Sequence, residues 1–332
     1  MSLESSTDKA ASFHTEHQIE VAAPIDVVYA LISDVTRWPR VFGPTIHAER
    51  LELDGSAERI RLWATANGDI KTWVSERLLD AAGSRISFRQ TVSQSPVAAM
   101  SGEWILRPGP DATTSVLLTH DYTPVQDVPG AREWIEQAVE RNSTAELRAL
   151  KRAAESAAAG NAALLTFQDS VRIAGPASAV YDFLYQAQRW EQLLPHVSRV
   201  VLREEVPGLQ YLEMDTTAKD GSAHTTASVR IALPGNEIRY KQLVLPPLLS
   251  LHLGRWTITA EADGAVTATS EHTIEIDSSK LHLLGEGTDL DGAKSFVRGA
   301  LGANSTATLM HAKSFAEAAG AQAAGAEGAD RA

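Results

Sequence analysis

One short stretch gathers residue types that could do chemistry. Lys71-Thr72-Trp73-Val74-Ser75-Glu76-Arg77 is rich in β-branched and aromatic residues and reads as a strand with a period of two. On that period Trp73, Ser75 and Arg77 share one face, while Val74 and Glu76 share the other. A tryptophan face normally points at a core, and a guanidinium there is costly unless it is paired or lines a wet cavity. Two readings of Arg77 stand. It ends its strand and reaches water or pairs with Asp80, or it is a fixed cation on a cavity wall beside a hydroxyl and an indole. A second stretch, Thr225-Thr226-Ala227-Ser228-Val229-Arg230, repeats Ser-x-Arg on the same phase and favours the cavity.

The elements around these strands occur twice. Pro24 recurs at Pro176, Val28-Tyr29 at Val180-Tyr181, Trp38 at Trp190, Trp104 at Trp256 and His120 at His272, each 152 positions on. Ser75 and Arg77 recur 153 positions on, one residue being absorbed in a turn. Asn142-Ser143-Thr144-Ala145 recurs as Asn304-Ser305-Thr306-Ala307 at an offset of 162, the extra length lying in the loop before the second long helix. Pairs this rare at a near-constant offset mean a tandem duplication.

Each copy reads alike. After a polar segment at 1–12, expected to be disordered, residues 13–23 form a strand that Pro24 stops. Residues 25–35 have helical apolar spacing, broken by Trp38-Pro39. Strands are expected at 46–53, 59–65, 70–79, 85–92, 99–107 and 114–122, with turns at Asp54-Gly55, Asn67-Gly68, Ala82-Gly83-Ser84 and Pro108-Gly109-Pro110. Short sequential strands joined by tight turns make an antiparallel meander. One long helix follows at 131–157. The second copy has a strand at 163–174, a helix at 179–186, a β-rich stretch at 211–276 and a helix at 296–319, before an Ala/Gly-rich tail expected to be disordered at 320–332. The fold class is α+β: two tandem helix-grip domains, 13–158 and 159–319. Each has a curved antiparallel sheet of about seven strands wrapped around its long C-terminal helix, with a cavity between.

The composition excludes several function classes. The chain has 332 residues, 44% of them hydrophobic, enough for two cores. With no cysteine there is no disulfide framework, thiolate metal site or Cys nucleophile. No apolar run approaches the ~20 residues of a membrane helix and no signal-peptide core opens the chain, so a cytoplasmic protein without a membrane partner is expected. The net charge of −12 argues against nucleic acid. Arg37, Arg40, Arg59 and Arg61 form either a local basic patch or scattered solvated charges. Nucleotide-loop, nucleophile-elbow and zinc-binding motifs are all missing.

What remains is a set of polar and aromatic residues that could face a cavity. In the first copy these are Trp63, Trp73, Ser75, Arg77, His120, Tyr122 and Asn142, with Trp38 near the mouth. In the second they are Thr226, Ser228, Arg230, His272 and Asn304, with Trp190. Each also has a structural reading. The tryptophans plug helices onto the sheet, the histidines are satisfied core residues, and the asparagines bond nearby backbone.

Trp38-Pro39 after the first helix, Trp73-Val74-Ser75-Glu76-Arg77 and the Asn-Ser-Thr-Ala helix resemble the aromatase/cyclases of bacterial type II polyketide synthases, and the tandem copies resemble their di-domain subclass. The resemblance implies that Trp73, Ser75 and Arg77 line the pocket, with Arg77 a principal catalytic residue. Ser228 and Arg230 match in the second copy, whereas Thr226 replaces the tryptophan. Some family members carry a tyrosine six or seven residues past the Trp-Pro pair, where this chain has Pro44 and Thr45, so a tyrosine acid is absent there.

The implied reaction takes a poly-β-ketone on an acyl carrier protein, reduced at C9. It closes a ring between C7 and C12 by intramolecular aldol addition and loses water. Ketosynthase and ketoreductase subunits are the implied further partners, and no cofactor is needed. In this scheme Arg77 stabilises an enolate or holds a carbonyl, and His120, with Ser75 or a water, shuttles protons. Arg230, Ser228 and His272 stand as their counterparts. The alternatives are a non-catalytic carrier of hydrophobic ligands and a scaffolding subunit.

Overall fold

The computed structural model describes residues 11–158, 163–217 and 223–329, with side chains left out at 223 and beyond 322. The chain divides into two compact units, 1–161 and 162–332, with the same order of elements.

In the first unit Pro24 ends β1 (Phe13–Val21) and caps α1 (Ile25–Ser33), its carbonyl accepting from Val27 and Val28 at 3.1 and 3.2 Å. The helix stops before the expected residue 35 because Asp34 turns out of helical geometry and its carboxylate accepts from the Thr36 amide at 3.2 Å. Pro39 then sits in the first turn of α2 (Trp38–Val41), a position that needs no amide proton. The meander runs through β2 (Thr45–Asp54), β3 (Ala57–Ala66), β4 (Asp69–Asp80), β5 (Arg85–Val92), β6 (Val97–Pro108) and β7 (Thr114–Pro124) to α3 (Ala131–Ala158). The sheet order is β1-β7-β6-β5-β4-β3-β2, antiparallel throughout, so β1 closes on the last strand.

The second unit repeats this with β8 (Leu164–Ile173), α4 (Ala177–Tyr185), α5 (Trp190–Leu193), β9 (Val197–Val206), β10 (Leu209–Thr217), β11 (Ala223–Leu233), β12 (Glu237–Val244), β13 (Leu249–Ala260), β14 (Val266–Ile276) and α6 (Leu290–Ala329). Its sheet order is β8-β14-β13-β12-β11-β10-β9. The extra length inferred from the offset of 162 holds a 3-10 helix, Ser278–Leu284. Two expectations are corrected here. The last helix begins at Leu290 rather than 296, and it continues to Ala329 through much of the tail expected to be disordered. Alanine has the highest helix propensity, and nearly half of the tail is alanine. Residues 1–10 and 330–332 of the expected disordered ends lie outside the described residues.

Each unit has one principal core. Val28, Leu31, Ile32, Trp38, Phe42 and Trp104 join the underside of α3 in the first; Val180, Phe183, Leu184, Trp190 and Trp256 join α6 in the second. Beside the core, one aromatic on the strand after the Ser-x-Arg strand crosses a glycine on the next: Phe88 over Gly102, and Tyr240 over Gly254. A Cβ at Gly254 would lie 1.9 Å from Tyr240 Cζ, and one at Gly102 would lie 2.6 Å from Phe88 Cζ and 2.0 Å from the Thr119 carbonyl oxygen. Gly254→Ala should therefore displace Tyr240 and cost about 1–3 kcal/mol through overpacking. Thermal unfolding of the variant checks this, with a drop in Tm of roughly 5 °C expected; an unchanged Tm would show that the ring yields freely.

Candidate active site

The two-residue turn at Asn67-Gly68 sets β3 against β4 so that paired residue numbers sum to 135. Glu58 therefore faces Arg77. The Arg77 guanidinium, 3% exposed as a residue, lies 3.1 Å from a Glu58 carboxylate oxygen through Nη1, and its Nη2 donates to the Ile32 carbonyl at 2.8 Å. Its face stacks over Trp38, 4.9 Å from the ring centroid. Trp38 Nε1 donates to the same carbonyl at 3.0 Å. Asp80, the partner considered from sequence, instead accepts from the Gly83 amide at 2.8 Å. Burial pulls the guanidinium down to about 10, opposed chiefly by Glu58, so it stays charged at neutral pH. These contacts fix the plane of Arg77 without using all five of its N–H donors.

Arg77 lines a cavity of about 150 Å³ between the sheet and α3. Trp38, Trp73, Ser75, His120 and Asn142 line it too, as the sequence led us to expect. His120 meets Phe88 edge-on at 5.5 Å, and its Nδ1 is buried without a hydrogen-bond partner. Burial lowers its imidazole to about 4 and keeps it neutral. Asn142 gives its amide to the Thr65 carbonyl at 3.0 Å, so half of its hydrogen-bonding capacity is structural.

Two expected residues do not line the cavity. On β3 the alternation turns Ile60, Leu62 and Ala64 inward and Trp63 to the opposite face, where it stacks on His47 at 5.2 Å. Tyr122 is 1% exposed, packed with Ile135 and Val139 and stacked on Phe13 at 5.6 Å. It plugs the sheet against α3.

Three residues went unnoticed in the sequence. Trp134 lines the cavity and carries the Lys71 ammonium 5.3 Å from its ring centroid. Glu58 is the arginine's counter-charge, and the turn register already placed it there. Glu146 also lines the cavity, and burial without a compensating charge raises its carboxyl to about 7. It stands one helical turn beyond Asn142, so helical periodicity puts both on one face.

The second cavity, about 260 Å³, lies between the second sheet and α6. Trp190, Thr226, Ser228, Arg230, His272 and Asn304 all line it. Arg230 donates to the Leu184 carbonyl and stacks over Trp190 at 5.3 Å, as its counterpart does. Tyr240, Gln242 and His252 line it as well and were not foreseen. They stand where the first copy has Phe88, Gln90 and Met100, so a search for repeated residues passes over Tyr240 and His252, while Gln242 does repeat Gln90.

Of the basic residues first considered as a patch, Arg59 pairs with Glu52 at 3.1 Å and Arg61 with Glu49 at 3.8 Å, while Arg37 and Arg40 are exposed. No described group of His, Cys, Asp and Glu could hold a metal ion, and no described helix is long and apolar enough to cross a membrane.

Known proteins share this arrangement. Residues 12–155 match a family described as polyketide cyclase / dehydrase and lipid transport, and residues 173–287 match a second family of the same description. The granaticin polyketide synthase bifunctional cyclase/dehydratase of Streptomyces violaceoruber is 43% identical over 91% of this chain and 94% of its own. The actinorhodin polyketide synthase bifunctional cyclase/dehydratase of Streptomyces coelicolor is 40% identical over 90% of this chain and 96% of its own. Among solved structures, the di-domain ARO/CYC BexL superimposes with a TM-score of 0.80 at 50% identity, covering 92% of this chain and 99% of that one. The di-domain ARO/CYC StfQ from the steffimycin pathway gives 0.76 at 35% identity, covering 91% and 98%. Duplicated helix-grip units, a cavity-lining Trp-Ser-Arg strand face in the first and agreement over nine-tenths of the chain make this protein a di-domain member of the polyketide cyclase/dehydrase family.

Proposed function

We propose that the chain is an aromatase/cyclase acting on a poly-β-ketone carried by an acyl carrier protein and working beside ketosynthase and ketoreductase subunits. It closes the first ring, between C7 and C12 of a chain reduced at C9, and removes water to make that ring aromatic. The observation that carries this reading is a fixed cation in an apolar cavity that also holds a carboxyl titrating near neutrality. Names of relatives such as bifunctional cyclase/dehydratase support it.

The first cavity supplies each step. A methylene between two ketones loses its proton to the Glu146 carboxylate, and the enolate oxygen is stabilised by Arg77. The enolate carbon attacks a second ketone held in reach by the walls, where orientation contributes ~7–11 kcal/mol. Glu146 returns the proton to the new alkoxide. Glu146 then takes a further α-proton and passes it to the departing hydroxyl, which leaves as water; a second such loss, of the C9 hydroxyl, and enolisation of the remaining ring ketone complete the aromatic ring. His120, held neutral, and Ser75 hydrogen-bond the ketone oxygens rather than store charge. Trp38 and Trp73 shape the space in which the chain bends.

Product analysis of a minimal synthase plus ketoreductase, with and without this protein, tests the assignment. Addition should move material from mis-cyclised products to one aromatised first ring, and an unchanged distribution would refute it. Arg77→Lys keeps the charge but loses the planar fork, and ring formation should fall by roughly 10²-fold or more in folded protein. The double variant Glu58→Gln/Arg77→Met leaves no orphan charge and should be equally inactive; full activity in either would remove Arg77 from the mechanism. Because Glu146 must be ionised to take the first proton, ring closure should rise with pH through an inflection near 7. In Glu146→Gln the inflection should vanish and the rate drop by roughly 10²–10⁴-fold. An inflection that survives in the variant would assign the base elsewhere.

A further inference from the structure

The second cavity differs from the first at the positions that decide its charge. Register puts Gln210 opposite Arg230, where Glu58 stands opposite Arg77. The Gln210 amide donates to the Tyr185 carbonyl at 3.2 Å and to Glu204 at 2.8 Å. Glu204 is further occupied by the Tyr185 hydroxyl and by the Gly208 amide at 2.7 Å. Among the described residues Arg230 has no ion pair, the Glu204 carboxylate acting on it only from beyond contact, and its Nη1 is buried without a hydrogen-bond partner in a residue 2% exposed. An unpaired buried guanidinium is a group that awaits an anion.

The neighbouring polar chain points the same way. His252 Nδ1 lies 2.9 Å from Gln242 Oε1, which only accepts, so Nδ1 carries the proton and Nε2 accepts. His252 Nε2 lies 2.9 Å from His272 Nδ1, which must then donate, leaving His272 Nε2 to accept from the Ser270 hydroxyl at 3.0 Å. Burial holds His252 at about 3 and His272 at about 4, so both imidazoles are neutral and each ring proton is already given away. The Tyr240 oxygen, 3.4 Å from His272 Nδ1, keeps its own proton free to donate. With Thr226 in place of the Trp73 indole the space is larger, about 260 against 150 Å³. Trp190, Trp256 and Leu212 leave its walls apolar.

We propose that the second cavity is a receptor for one oxyanion on a planar apolar body, held between Arg230 Nη1 and the Tyr240 hydroxyl. The ligand class is an aryl carboxylate, phenolate or enolate. Only the identity of the natural ligand, the acidic phenol or enol that ring closure yields, rests on the function proposed above. The charge and shape of the site do not.

The test uses the full-length chain and two probes of the same shape, 2-naphthoate and the neutral 2-naphthamide, by titration calorimetry. Naphthoate should bind at least roughly 30-fold more tightly, as a charge-assisted hydrogen bond predicts. Arg230→Gln should erase that preference while removing a buried charge from the fold. Tyr240→Phe, which copies the first cavity, should reduce it roughly tenfold. Thr226→Trp should fill the space and abolish binding of both probes. Equal binding of the two probes, a preference that survives Arg230→Gln or Tyr240→Phe, or naphthoate binding that survives Thr226→Trp would overturn the proposal. No turnover is needed, so a chain that forms no ring but discriminates the probes would sink the cyclase reading and spare this one. A chain that forms rings but binds the probes alike would do the reverse.

Discussion

In each unit an arginine in mid-sheet donates to a carbonyl in the last turn of the first helix: Arg77 to Ile32 and Arg230 to Leu184. That helix end carries the negative pole of the helix dipole and carbonyls with no partner of their own, so a buried cation there answers two needs at once. The indole of Trp38 or Trp190 lies flat beneath the guanidinium, and its ring nitrogen donates into the same helix end, at Ile32 or Phe183. The helix is thereby pinned to the sheet at one end of the cavity. The arginine is held in a fixed plane, and the space between sheet and long helix stays open rather than collapsing.

The two units keep that pin and change what surrounds it. In the first, Glu58 pairs with the arginine, and burial raises the carboxyl of Glu146 to about 7. In the second, the carboxylate has become an amide and the helix carboxyl a hydroxyl, Thr308, so Arg230 has no carboxylate in contact among the described residues and Glu204 acts on it from farther off. A cavity with a neutralised cation and a labile proton suits proton transfer. A cavity whose cation has no carboxylate in contact, beside saturated imidazoles, suits holding a charge that has already formed. The same backbone supports both because a few side chains set the field, while the sheet and the pin set the shape.

Much of this was legible before any coordinates. Rare residues at a near-constant offset gave the duplication, and period-two faces bounded by Asn-Gly and Gly-Ser turns gave the meander. The face of β4 placed Trp73, Ser75 and Arg77 together correctly. Trp63 failed because its inward reading rested on residue type, whereas strand phase, shared with Arg61 and Thr65, turns it outward. Tyr122 has the phase of His120 but lies where α3 comes down on the sheet, and only packing reveals that. Glu58 and Glu146 were readable from hairpin register and helical spacing. His252 and Tyr240 were hidden for a different reason. A search for what both copies retain finds the scaffold, and residues retained in only one copy fall outside it.

That asymmetry bears on why Glu58 is there at all. Breaking a buried ion pair by removing one partner costs about 3–5 kcal/mol, which would suggest that Arg77 needs its carboxylate to fold. The second unit shows otherwise, since Arg230 occupies the same place on the same fold with a helix-end carbonyl, an indole and, among the described residues, no ion pair. The carboxylate is therefore not a requirement of the architecture. It balances the arginine's charge directly, whereas Glu146 is raised by burial alone, which makes its carboxylate a stronger base once ionised. In the proposed scheme the base of the ring-closing step therefore owes its strength to the apolar walls around it, and Glu58 serves the arginine rather than the substrate.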